Sequence, residues 1–226
     1  EVRFGGVPVT VTFTSSDAGV ATLVTEAAPE GSGSLDLLIQ PGSSTTPSSL
    51  GQGGLALDPL TPGSTTVQAA VAGYVTTNSV SVTVSAPAIN VTNRTVGSGL
   101  QSGLSISLGA SLPAGDTLTV TSSNPALFLV SPNTTTEGSS TIRIPGPINS
   151  ANIVVQGLEG VTGQGTVTVT APGFADGTGT VTVSQPGVRV LNVNSSTTTL
   201  SSSDPFYAQI GTQTNGNFTS GQEVRF

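Results

Sequence analysis

Cysteine, histidine, lysine, methionine and tryptophan are all missing from this 226-residue chain; its five basic residues are Arg3, Arg94, Arg143, Arg189 and Arg225. Without Cys there is no disulfide, no thiolate nucleophile and no Cys-ligated zinc. Without His there is no imidazole base and no ordinary Ser-His-Asp triad. Without Lys there is no Schiff base and no Lys-to-Asn side-chain crosslink. Carboxylate pairs are the acid–base machinery left, but Glu26, Glu30, Asp36 and Asp58 lie in no recognisable motif and read as solvated loop acids. The sequence predicts a protein that is not an enzyme and holds no organic cofactor.

Charge is scarce as well. Charged residues make up 8% of the chain, with a net charge of −7. Nucleic-acid binding needs clustered cations to displace counterions, so a nucleic-acid partner is excluded, as is a polybasic membrane-surface segment. No stretch approaches the ~20 apolar residues of a membrane span. The chain starts at Glu1 with no signal peptide and no initiating Met, which reads as a mature product or a slice of a longer polypeptide.

What is present is 35% hydrophobic residues, many of them Val, Ile or Leu in alternating runs, on a background of Ser, Thr, Asn, Gln and Gly. That is enough for a core of modest side chains. A surface of hydroxyls and amides repels its neighbours weakly, so side-by-side association is expected.

Internal similarity organises the chain. Thr14-Ser15-Ser16-Asp17-Ala18 reads like Thr121-Ser122-Ser123-Asn124-Pro125. Gly63-Ser64-Thr65-Thr66-Val67 through Ala72-Gly73-Tyr74 matches Gly163-Gln164-Gly165-Thr166-Val167 through Pro172-Gly173-Phe174, 100 positions on. Each copy then reaches a Val-Thr-Val strand, a Pro (Pro87, Pro186) and a new extended segment, Ile89-Asn90-Val91 or Leu191-Asn192-Val193. A second repeat joins the ends: Glu1-Val2-Arg3-Phe4 recurs as Glu223-Val224-Arg225-Phe226, a period of 222 residues. These eight residues form an expected assembly seam, because joining the end to the start restores the module. On this reading residues 88–187 are a complete module, residues 1–87 the back of another, and residues 188–226 the front that completes the equivalent of 1–87 in a neighbouring copy.

The alternation predicts an all-β fold with strands over 89–95, 104–108, 117–122, 127–130, 140–144, 152–157, 165–170 and 179–183. Val167, Val169 and Ala171 would face the core. Seven or eight short strands per ~100 residues, with no helical stretch, is a β-sandwich pattern. Tyr74 and Phe174, each after a turn glycine, are expected to plug the bottom of their sandwiches.

The Thr-Ser-Ser-Asn/Asp motif, the Thr-Val-Thr-Val strand, Ala-Pro-Gly-Phe or Ala-Gly-Tyr, and the closing Val-Thr-Val strand resemble the bacterial immunoglobulin-like (Big-type) tandem repeats of large surface proteins. The resemblance covers nearly the whole chain. It implies tandem immunoglobulin-like β-sandwich modules, here cut inside one module, in extracellular adhesins, stalks and surface fibres. It carries no catalytic residues to transfer. A Cys-free composition fits a bacterial or archaeal surface protein.

Calcium is the one cation left open, with weak candidates Asp17, Asp116, Asp176 and Asp204 near predicted turns, where capping the turn is the simpler role. Sequons stand at Asn90, Asn93, Asn133, Asn194 and Asn217. Arg143 and Arg189 are expected to pair with a carboxylate or to pack their stems on a neighbour. Phe206-Tyr207 is the one adjacent aromatic pair.

The expected function is a structural repeat of a long extracellular or cell-surface fibre, sheath or stalk. Its partners are identical neighbours, head to tail and laterally, and short linkers around Pro87 and Pro186 limit bending. The alternatives are an adhesin or carbohydrate-binding array, and a filament subunit completed by a neighbour's donor strand.

Overall fold

The computed structural model describes residues 5–226. The fold is all-β and of β-sandwich type, with no α-helix among the described residues. The chain divides into two compact units, Glu1–Ala86 and Pro87–Phe226.

The first unit holds β1 (Val9–Ser15), β2 (Ala21–Thr25), β3 (Ala28–Ser32), β4 (Ser34–Ile39), β5 (Ala56–Pro59), β6 (Gly63–Ala70) and β7 (Ser79–Val84). They form two sheets, ordered β4-β1-β6-β7 and β3-β2-β5. A single 3₁₀ turn, Leu50–Gln52, lies in the connection before β5.

The second unit opens with β8 (Ile89–Val91), β9 (Arg94–Gly97), β10 (Leu100–Leu112), β11 (Thr117–Ser122) and β12 (Phe128–Ser131). It continues through β13 (Thr141–Pro145), β14 (Ile148–Gly157), β15 (Gly163–Thr170) and β16 (Gly177–Ser184). Then come β17 (Pro186–Leu191), β18 (Tyr207–Thr214), β19 (Asn217–Gly221) and β20 (Glu223–Val224). One sheet runs β13-β11-β15-β16-β9; the other runs β12-β14-β10-β20, with β8 also on β10.

These two sheets enclose one core. Leu104, Ile106, Leu118, Val120, Phe128, Val155, Val167, Val169 and Val181 are buried in a single cluster. Strand alternation puts them there: Val167 and Val169 point inward, while Ala171 packs at the edge of the cluster.

The Thr-Ser-Ser-Asn/Asp motif acquires a physical role. In the second unit the Ser122 hydroxyl donates to the Phe128 carbonyl at 2.9 Å, bridging the two sheets. Ser123 then holds β15, its Oγ accepting from the Thr166 N–H at 2.8 Å. In the first unit Ser15 donates to the Ala21 carbonyl at 2.7 Å and Ser16 accepts from the Thr66 N–H at 2.8 Å. The carbonyls of Asp17 and Asn124 each close the turn that follows. Registers recur as well: Gly63 lies opposite Val84 in one unit and Gly163 opposite Val183 in the other.

Three expectations are corrected. The strand over 89–95 is two strands, because Thr92 and Asn93 carry the chain from one sheet to the other. Thr92 bonds Ser105 on β10, and the Asn93 side-chain Oδ1 accepts from the Thr180 N–H on β16. The strand over 104–108 is the middle of a longer one, β10. Phe174 packs against the core as expected, but Tyr74 does not: it is 70% exposed. The first unit has too little core to hold it. Its buried hydrophobics among the described residues are Val11, Val20, Ala21 and Leu23.

Candidate assembly surface

The surface of interest begins with what flanks each sheet. In the second unit the outer edge of β16 carries β9, paired in parallel from Val181↔Arg94 to Ser184↔Gly97. The edge of β14 carries β10, antiparallel from Gln101↔Gln156 to Ser107↔Ser150. In the first unit the corresponding strands, β7 and β5, are both sheet edges among the described residues. An unpaired edge presents a row of backbone donors and acceptors that need partners.

Burial follows the missing strands. Val181 and Val183 on β16 are fully buried, whereas Val82 and Val84 at the matching places on β7 are half-buried and Val80 is exposed. Leu38, Leu60 and Val75 are exposed in the same unit.

The C-terminal segment makes a small sheet of its own, β17-β18-β19. Asn215 and Gly216, at φ 51° and 79°, form the two-residue turn between β18 and β19. Both central residues of this turn type need positive φ, hence Asn-Gly. Arg189 lies 4.4 Å above the Phe218 ring and donates twice to the Gln209 side-chain oxygen. A carboxylate partner or a packed stem was expected; instead the polar partner is an amide oxygen and it is the guanidinium that stacks.

Leu191-Asn192-Val193 does not repeat the structure of Ile89-Asn90-Val91. Asn192 has a φ of 66° just past the end of β17, and Val193 is exposed whereas its counterpart Val91 packs against the core.

The last strand, β20, pairs with β10 at Leu100 and Gln101. Around it the Gln222 side chain accepts from the Gly97 N–H at 2.8 Å and donates to the Thr95 carbonyl at 2.9 Å. Glu223 accepts from Gln101 at 3.2 Å. Arg225 Nε donates to Glu159 Oε1 at 2.6 Å, and this bond holds the Glu159 carboxyl below its ordinary range. Val224 and Phe226 are exposed. Of the expected seam, Glu223 to Phe226 therefore sit on the second unit, while Glu1, Val2, Arg3 and Phe4 lie outside the described residues.

The other sequence candidates are dispersed. Asp17 Oδ1 caps the Gly19 N–H at 2.9 Å and Asp204 Oδ2 caps the Asn194 N–H at 2.8 Å. Asp116 and Asp176 lie in separate stretches beside Pro113 and Phe174, Asp176 exposed. No three acidic side chains converge among the described residues. Asn90, Asn93, Asn133, Asn194 and Asn217 are all exposed, though the Asn133 oxygen is already occupied by Thr135 and Thr136. Arg143 is exposed on β13, and Phe206 and Tyr207 are 65% and 53% exposed.

Sequence reasoning missed three glutamines. Gln101 and Gln156 are buried across the β10–β14 pair, and Gln222 bonds the edge of β9. The signal for Gln156 was its place in the unbroken run Ile153-Val154-Val155-Gln156, which is buried on both faces.

No family model matches the chain, and no curated protein matches it in sequence. Among solved structures it is similar to a glycosyl hydrolase family 2 member from Bacteroides cellulosilyticus, at 12% identity and a TM-score of 0.33. That alignment covers 73% of this chain and 21% of the other. No helix is long and apolar enough to cross a membrane among the described residues.

Proposed function

We propose that this chain is a structural repeat unit, with a period of about 222 residues, of a long extracellular fibre, sheath or stalk. Its immunoglobulin-like β-sandwich modules are joined head to tail. One observation carries the reading: the order β4-β1-β6-β7 in the first unit is the order β13-β11-β15-β16 in the second. The matched registers and the matched serine braces extend that likeness to single hydrogen bonds.

A chain that builds the same scaffold twice, and lacks thiols, imidazoles and amines, is suited to bearing load rather than to chemistry. Its cohesion comes from ladder hydrogen bonds, burial and repetition. The Thr-rich strand faces are suited to lateral contact between such chains.

The test is the length of tandem proteins. Proteins of two, three and four copies, each Phe226 followed directly by Gly5 of the next copy, are measured by small-angle scattering and negative-stain microscopy. A constant increase in maximum dimension per added copy is expected. A compact particle whose dimension barely grows with copy number overturns the fibre reading.

A further inference from the structure

We infer that the first unit is a docking site for the β18–β19 hairpin of another copy of this chain, the two strands parting to complete its two sheets. This rests on the fibre reading and names the partner and the pairing.

The site has two vacant edges, β7 and β5, among the described residues. In the second unit these positions are taken by two consecutive strands. There β9 lies parallel on β16 and β10 antiparallel on β14. Only Ser98 and Gly99, the latter at φ 75°, separate them, yet they belong to different sheets.

The C-terminal segment has the same plan. The eight-residue strand β18 meets a two-residue turn, Asn215-Gly216, and then β19. Among the described residues these two strands bond to each other, with β17 on the far side of β18. Backbone groups take whatever partner is in reach.

Superposing Gly216 on Gly99 sets the register. Gly211–Thr214 takes the place of Arg94–Gly97, so Thr212 falls beside Thr83 just as Thr95 falls beside Thr182. Phe206 then takes the place of Ile89. Ile89 is 5% exposed and shares the core cluster with Phe174. Phe206 and Tyr74, the aromatic at Phe174's position, are 65% and 70% exposed. The docked hairpin brings these two exposed rings to the end of one sandwich. Past the hairpin, the occupant runs into Glu223-Val224-Arg225-Phe226, the sequence that also precedes Gly5. The incoming strand therefore arrives in the direction β1 requires.

The absence of Cys makes a clean test. In the two-copy tandem protein, Thr212→Cys is placed in the first copy and Thr83→Cys in the second. Mild oxidation is expected to give one intramolecular disulfide, seen as a shift on a non-reducing gel. The exchanged arrangement, Thr83→Cys first and Thr212→Cys second, is expected to give none.

On the unsubstituted tandem protein, amide exchange over residues 79–84 should be ~100-fold slower in the second copy than in the first, which has no copy ahead of it. At high dilution, equal exchange in the two copies, no intramolecular crosslink in the first arrangement, or an intramolecular crosslink in the exchanged one each overturns the docking. A tandem protein that is elongated but shows equal exchange keeps the fibre reading and loses this one.

Discussion

Gln156 Nε2 donates to Gln101 Oε1 at 3.2 Å between two neighbouring strands, with both side chains in the interior. The same Nε2 donates to the Thr136 carbonyl at 2.9 Å, and the Gln156 oxygen accepts from the Gly138 N–H at 2.8 Å. Gln101 in turn holds the Thr134 carbonyl at 2.9 Å. Two buried amides thus tie the 134–138 loop to the sheet. Truncation leaves several of these groups without partners, and each unmet group costs ~1–3 kcal/mol. We expect Gln156→Ala to lower the stability of the second unit by about 2–4 kcal/mol, read from the urea midpoint. Proteolysis should begin in the 134–138 loop.

The two units should come apart in sequence. The second has a continuous core, whereas among the described residues the first buries few apolar side chains and leaves β7 and β5 open. Amides of β1 and β6 are expected to exchange well before those of β11 and β15. Phe128→Ala, at a fully buried ring, should cost about 3–5 kcal/mol in the late transition. Phe13→Ala, at a half-buried ring, should cost about 1–2 kcal/mol in the early one. The two transitions are resolved by exchange measured along a urea series.

The bond between Arg225 and Glu159 gives the last strand a pH dependence. The Arg225 side-chain hydrogen bond lowers the Glu159 carboxyl below its unfolded value. The contribution is therefore fully present above that unfolded value and is lost as pH falls through the lowered one. The Arg225 N–H, which donates to the Gly99 carbonyl at 3.1 Å, is expected to lose exchange protection on acidification. Glu159→Gln should remove the same protection at neutral pH. Glu159 is largely exposed, so added salt should weaken the pair as well.

Phe218 supports the C-terminal sheet through the guanidinium stacked on its face. Phe218→Ala should destabilise the β17–β19 sheet by about 0.5–1 kcal/mol and broaden the resonances of Arg189 and Gln209. Phe218→Tyr keeps the ring face and should restore both.

The repeat made much of this molecule readable from its residues. The Thr-Ser-Ser-Asn/Asp and Thr-Val-Thr-Val motifs marked paired places in two sheets because each residue there has a bonding duty that few others can perform. Ser122 and Ser15 show it: one hydroxyl on the inner face must reach a carbonyl of the opposite sheet. What stayed hidden depends on contacts between distant segments. Residues 89–95 alternate like one strand, and the switch between sheets is made by Thr180, 87 positions from Asn93. Tyr74 carries the same local pattern as Phe174, but among the described residues β7 and β5 are sheet edges in its unit and little core surrounds it. Asn192 looks like Asn90 in its tripeptide and adopts a different backbone, with a positive φ just past the last β17 pair, Leu191 opposite Tyr207.

The parallel ladder between β9 and β16 has a mechanical consequence. Once the short β8 has peeled from β10, the polypeptide enters the five-stranded sheet at β9 and leaves it after β16. A pull on the two ends therefore slides these strands lengthwise past each other. Their ladder bonds share the force at once instead of opening one after another like a zip. Rupture should be abrupt, and it should require much more force than peeling β13 from its open side of the same sheet.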